Sequence, residues 1–130
     1  MIEFHLDNRS GVPAYLQLVQ QVRHAIRLGM LRPGDQLPTV KQVVTSLTVN
    51  PNTVLHAYRQ LDLEGLVEGR QGVGTFVAAD SVPLPPDEVR SLRSSLDRWV
   101  SRARGAGLDD ESISALIAEA VRPASESRVA

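Results

Sequence analysis

Apolar residues recur at helical spacing in five stretches of this chain and at strand spacing in two, which predicts five helices with one small hairpin between the third and the fourth. The first stretch starts at Pro13, whose missing N–H costs nothing in a first helical turn. It runs to Leu28, with Tyr15, Leu18, Val19, Val22, Ala25 and Ile26 on one side and Gly29 as its stop. Arg32-Pro33-Gly34-Asp35 then signals a turn. Gln36-Leu37-Pro38 reads as a short extended segment, because a proline holds the residue before it out of the helical region.

Thr39 stands where a helix N-cap belongs, with Gln42 three residues on, the form of a capping box. The helix it opens ends at Leu47 and turns Val40, Val43, Val44 and Leu47 inward. The next helix has Asn50 as cap and Pro51 at its first position, buries Val54, Ala57, Tyr58 and Leu61, and closes at Gly65. Leu66 to Arg70 and Val73 to Val77 then read as two strands joined around Gln71-Gly72, glycine supplying the positive φ such turns need. Two short helices and a hairpin in this order predict an N-terminal winged helix-turn-helix over residues 1–80, within a chain that is mainly α with a small β-wing.

Pro83, Pro85 and Pro86 mark residues 81–86 as a semi-stiff connector. Beyond it, a two-helix tail is expected over 87–122. Its first helix, about Asp87 to Arg104, carries Val89, Leu92, Leu96, Trp99, Val100 and Ala103 on one stripe and arginines elsewhere. Its second, capped by Asp109, carries Ile113, Leu116, Ile117, Ala120 and Val121. Residues 123–130 are polar and expected to be disordered. A hairpin of this size cannot hide both apolar faces on itself, so Leu92, Leu96, Trp99, Val100, Ile113, Leu116, Ile117 and Ala120 are candidate homodimer contacts. The competing expectation folds these helices back on the first helix of the same chain.

On the third helix Asn52, Thr53, His56 and Arg59 fall away from the inward face and are expected to project together. An asparagine can pair with both edge atoms of adenine, a threonine can meet a phosphate or a thymine methyl, and a helix N-terminus favours phosphate. Asn50, Thr39 and Lys41 flank that face, and Arg70, Gln71 and Gly72 are expected near the wing tip, so these residues complete the candidate contacts to double-stranded DNA. Caps and solvated helix faces use the same residue types, and the hairpin lends the set its meaning.

Charge pulls the other way. The net charge is −1, and residues 1–80 hold equal numbers of Lys plus Arg and of Asp plus Glu, so a bulk basic surplus does not drive binding to phosphate. A near-neutral winged helix fits a protein-interaction module as well, although such a module calls for aromatic or aliphatic anchors on the outward face of the third helix. Catalysis has little to stand on: cysteine is absent, and His5, His24 and His56 show no ligand spacing. The glycine-rich stretch lacks the Lys-Ser/Thr end of a phosphate loop. No cofactor and no metal are therefore expected. Without a signal pattern or an apolar run of spanning length, the expectation is a cytoplasmic protein that makes no membrane contact.

Pro33-Gly34-Asp35-Gln36-Leu37-Pro38-Thr39, Thr53-Val54-x-x-Ala57-Tyr58-x-x-Leu61-x-x-Glu64-Gly65-Leu66 and Gly72-x-Gly74-Thr75-Phe76-Val77 together resemble the winged-helix domain of GntR-type bacterial transcription regulators, from about Pro13 to Ala78. Val49 to Val54 and the short tail are similar to the YtrA subgroup. The resemblance implies a homodimer on an operator of two-fold symmetry, commonly repressing its own operon. Three positions depart from the pattern. Lys41 keeps the charge of the usual arginine without its fork; His56 stands where an arginine is frequent; Thr48 occupies a turn position usually given to glycine, which predicts a strained or altered turn. The tail is too short for a separate effector domain, so a small-molecule effector, its identity unread, would sit between subunits or near Trp99 and the last helix.

Overall fold

Leu18, Val22, Ala25 and Ile26 lie along one side of the first helix, α1 (Ala14–Arg27), and their burial there organises the N-terminal part of the molecule. In the computed structural model, which describes residues 2–81 and 83–123, this stripe joins Val43 of α2 (Val40–Leu47) and Val54, Ala57 and Leu61 of α3 (Pro51–Leu63) in one apolar core. α3 packs against both α1 and α2. The outermost layer is an antiparallel hairpin, β1 (Val67–Arg70) and β2 (Gly74–Val77), whose Val67 and Val77 face the core.

The ends of these elements follow from single residues. The capping box at the start of α2 is complete: Thr39 Oγ1 accepts from the Gln42 amide at 3.1 Å, and Gln42 Oε1 accepts from the Thr39 amide at 2.9 Å. Asn50 Oδ1 caps α3 by accepting from the Asn52 amide at 2.8 Å, and Pro51 fills the first helical position. Gly65 ends α3 in the left-handed region, at φ 77°. Its amide and that of Leu66 return to the carbonyls of Asp62 and Leu61, which turns the chain directly into β1.

Thr48 is the strained position. It sits at φ 55° and ψ 51°, the conformation that suits a glycine, in a β-branched residue that pays for it sterically. The turn of the helix-turn-helix therefore keeps its shape without its usual residue.

The hairpin differs from the sequence expectation in two ways. Arg70 pairs with Gly74, so the loop is Gln71-Gly72-Val73 and not the two residues Gln71-Gly72; Val73 lies outside the strand and is exposed. The extended segment around Gln36 also joins the sheet as an added edge, with Leu37 N–H donating to Thr75 O and Val77 N–H to Asp35 O, both at 2.8 Å. The wing is thereby tied to the chain that leads into α2.

A further segment shows a two-residue period that the helical reading does not use. Ile2, Phe4 and Leu6 turn inward while Glu3, His5 and Asp7 stay exposed, and Phe4 is buried in the core. Gln17 and Gln21, one α1 turn apart, hold this arm through its backbone: Gln21 Oε1 accepts from His5 N–H at 3.0 Å, and Gln17 Oε1 from Asp7 N–H at 2.8 Å.

Residues Met1–Pro86 and Asp87–Ala130 form two compact units. The second contains α4 (Pro86–Gly105), which begins at the boundary, and α5 (Asp110–Val121). Asp109 caps α5, and the Ser112 amide at 2.7 Å holds its carboxyl below the ordinary carboxylate range. Ala103 and Ile113, near the α4–α5 turn, are the buried apolar residues of this unit among those described, whereas Leu92, Leu96, Trp99, Leu116 and Val121 are exposed. Residues 124–130, expected as a disordered tail, lie outside the described residues.

Candidate nucleic-acid interface

α3 presents its polar residues as its helical spacing requires. With Val54, Ala57, Tyr58 and Leu61 fixed in the core, Asn52, His56 and Arg59 are exposed on the opposite side. Thr53 departs from the expectation of four residues projecting together: it is half-buried, on the flank of α3 beside a shallow cavity lined by Pro13, Ala14, Tyr15, Asn52 and His56. Leu63, 84% exposed, is an aliphatic residue on the same side as Asn52 and His56, one helix end away.

His56 is not a free outward side chain. Its ring stacks on Tyr15 of α1, centroids 3.8 Å apart and planes inclined by 14°, which fixes its direction and couples α1 to the outward face of α3. Asn50 has its Oδ1 committed to the helix cap, so its side-chain NH₂ is what remains for a partner. Thr39 is exposed with its oxygen in the capping box and its hydroxyl proton still to give. Lys41 lies exposed on the first turn of α2, and among the described residues neither Lys41 nor Arg59 enters an ion pair.

Four side chains outside the expected set hold this face in place. Tyr58 reaches from α3 to the chain entering α2, donating its hydroxyl to Pro38 O at 2.5 Å; burial pushes its phenol far up, so it stays a neutral donor. Arg23 of α1 grips Glu64 at the end of α3 in a forked pair of 2.8 and 3.0 Å, with Gln60 donating to the same carboxylate at 3.1 Å. Partial burial pushes the Glu64 carboxyl up, but the bonds from Arg23 and Gln60 and the Arg23 charge outweigh it and hold the group below its ordinary value. The phenol's helical position marked Tyr58 as a core residue; its hydroxyl partner lies twenty positions away and leaves no local signal.

In the wing, Gln71 and Gly72 stand exposed in the loop as expected. Arg70 does not stand at the tip. It closes β1 opposite Gly74, with its guanidinium 4.2 Å over the Phe76 ring and 3.3 Å from Glu68 Oε1. Register explains the trio, since Glu68 and Arg70 share one face of the strand and Phe76 is directly opposite Glu68. Gly74 takes a φ of 144°, a conformation that residues with a side chain rarely adopt, and a Cβ there would also displace the end of the Gln36 side chain.

A helix-turn-helix with an exposed polar second helix, braced from α1 and flanked by a two-stranded wing, defines the winged-helix class of DNA-reading proteins. Residues 14–77 match the family described as bacterial regulatory proteins, gntR family. The HTH-type transcriptional repressor YtrA of Bacillus subtilis is 33% identical over 115 residues, covering 88% of each chain. Among solved structures, YtrA from Sulfolobus acidocaldarius, a GntR-family transcription factor, superposes with a TM-score of 0.54 at 30% identity, over 75% of this chain and 97% of that one. The AraR DNA-binding domain, solved in complex with operator ORX1, superposes with a TM-score of 0.52 at 28% identity, over 59% of this chain and 96% of that one.

The chain belongs to the GntR family, in its YtrA-like subgroup. It is a DNA-binding transcription regulator and not an enzyme.

Proposed function

We propose that the protein is a repressor that acts as a homodimer on an operator of two-fold symmetry in the DNA upstream of its own gene, in the cytoplasm. One observation carries this reading: Asn52, His56 and Arg59 form an exposed polar face on a helix braced by Tyr15, Tyr58 and Arg23. Asn52 and Arg59 meet base edges in the major groove. Thr39, Lys41, Asn50 and Thr53, with His56, hold the backbone of the same groove, and Arg70, Gln71 and Gly72 approach the flanking phosphates.

The tail supplies the second copy. Leu92, Leu96, Trp99 and Leu116 are exposed and, with Val100, Ile117 and Ala120, make the dimer contacts. Ile113 leaves that set, because at 5% exposure it is already buried in the single chain. A small-molecule effector would act at the same place, beside Trp99, and a metabolite panel that leaves Trp99 fluorescence flat counts against it. Of the tail arginines, Arg90, Arg93, Arg104 and Arg122 form exposed pairs with Asp87, Asp97, Asp110 and Glu119, which weakens the case for a direct DNA role for these four.

The exposed Leu63 favours the competing reading, a module that docks a protein partner. Fluorescence anisotropy with the upstream DNA separates the two, comparing the native chain with Asn52→Ala plus Arg70→Ala at near-physiological salt. Tight binding that the double substitution abolishes supports the repressor. No binding even at low salt contradicts it and leaves the protein partner.

A further inference from the structure

The last turn of a helix leaves its backbone carbonyls without partners inside the helix. In α1, the carbonyls of His24, Ala25 and Ile26 are taken by the amides of Leu28, Met30, Leu31 and Gly29, as local capping requires. The carbonyl of Arg27 is taken from far along the chain: Leu84 N–H donates to it at 3.0 Å. Just upstream, Ser81 is bent back on Ala78, both its amide and its hydroxyl donating to the Ala78 carbonyl, at 3.2 and 2.9 Å. The Leu84 side chain borders a cavity of about 210 Å³ with Ile26, Leu66, Arg23, Arg27 and Ser81. A proline-rich sequence predicts a free semi-stiff spacer here, and neither contact belongs to one.

We propose that Leu84 is a positioning residue for operator recognition: a latch that fixes the point at which the tail leaves the DNA-reading unit, and so narrows the half-site spacings the dimer accepts. The proposal rests on the homodimer reading above. Its force comes from reach. Untethered from Ala79 to Pro85, the connector would swing as a semi-stiff arm with a reach of roughly 20 Å, at about 3 Å per residue. Latched at Leu84, only Pro85 separates the anchor from α4, a span of about 3 Å in extended form. Set against a rise of about 3.4 Å per base-pair step, that is the difference between tolerating several inserted base pairs and tolerating about one. Leucine suits the role because it supplies an N–H between two prolines that have none, with an apolar side chain for the Ile26–Leu66 groove.

Two measurements on the full chain test this. Amide hydrogen exchange reads the latch directly: Leu84 N–H should exchange about tenfold or more slowly than an unstructured amide, and exchange at the unstructured rate overturns the proposal. The second exploits the absence of cysteine. His24→Cys, at an exposed α1 site, is spin-labelled, and the label-to-label distance distribution in the dimer is compared between the otherwise native chain, Leu84→Gly, which empties the Ile26–Leu66 groove and frees the backbone between the two prolines, and Leu84→Met, which keeps an apolar side chain there. The expected result is a narrow distribution that Leu84→Gly broadens at least about twofold, with Leu84→Met staying close to native and the melting temperature unmoved. Equal widths in native and Leu84→Gly dimers overturn the latch alone. A monomer by light scattering sinks the homodimer reading, and the spacing role with it.

Discussion

At the scale of single residues, the interface combines side chains that are free with side chains already engaged. Arg70 is engaged: Glu68 neutralises it and Phe76 covers its face, so part of any phosphate contact is spent on leaving Glu68. Glu68→Gln should therefore tighten operator binding by about two- to fivefold, the worth of an exposed ion pair, as read by anisotropy; unchanged or weaker affinity shows that Glu68 does not restrain Arg70. Thr48 is the opposite case, a residue whose conformation costs stability. Thr48→Gly is expected to raise the unfolding free energy by about 1 kcal/mol in urea titration, since the left-handed strain outweighs the extra backbone freedom of glycine. What the sequence discloses at this scale depends on distance along the chain. The capping box at Thr39 and the Asn50 cap are local and were readable. The stack of His56 on Tyr15 joins two helices, and the trio of Glu68, Arg70 and Phe76 depends on strand register, so neither leaves a local pattern.

At the scale of elements, α3 is set by three ties: its apolar stripe, the Tyr58 bond to the chain before α2, and the Arg23–Glu64 fork to α1. Tyr58→Phe should cost about 1–2 kcal/mol, because it leaves the Pro38 carbonyl buried without its donor, and should weaken DNA binding through the altered α2–α3 angle. Glu64 gives the fork a pH signature. Its folded-state value lies below its ordinary 4.5, so its contribution is present above that ordinary value and is lost as pH falls through the lower folded value. Glu64→Gln is expected to flatten the acid limb of stability against pH below about 4.5, and an acid limb of native steepness refutes the assignment. The helices were legible because each carries a three-to-four period long enough to read. The N-terminal arm leaves little signal because Ile2, Phe4 and Leu6 give only three points of a two-residue period, and the bridge from Gln36 to β2 leaves none because Gln36 and Leu37 meet it across nearly forty residues.

At the scale of the whole molecule, the proposed repressor is two copies of one reader. With acidic and basic residues equal in number over residues 1–80, a single winged helix has little non-specific hold on DNA, whereas two linked readers would multiply modest affinities through effective concentration. Leu96→Glu on the exposed stripe of α4 is expected to give a folded monomer by light scattering that binds the full operator at least about tenfold more weakly. The most direct test is a hydroxyl-radical footprint on the DNA upstream of the gene. The prediction is two protected patches related by two-fold symmetry, with centres about one helical turn or a multiple of it apart, both lost with Asn52→Ala plus Arg70→Ala. A single patch, or protection that survives the substitutions, would contradict a dimer reading its operator through α3 and the wing.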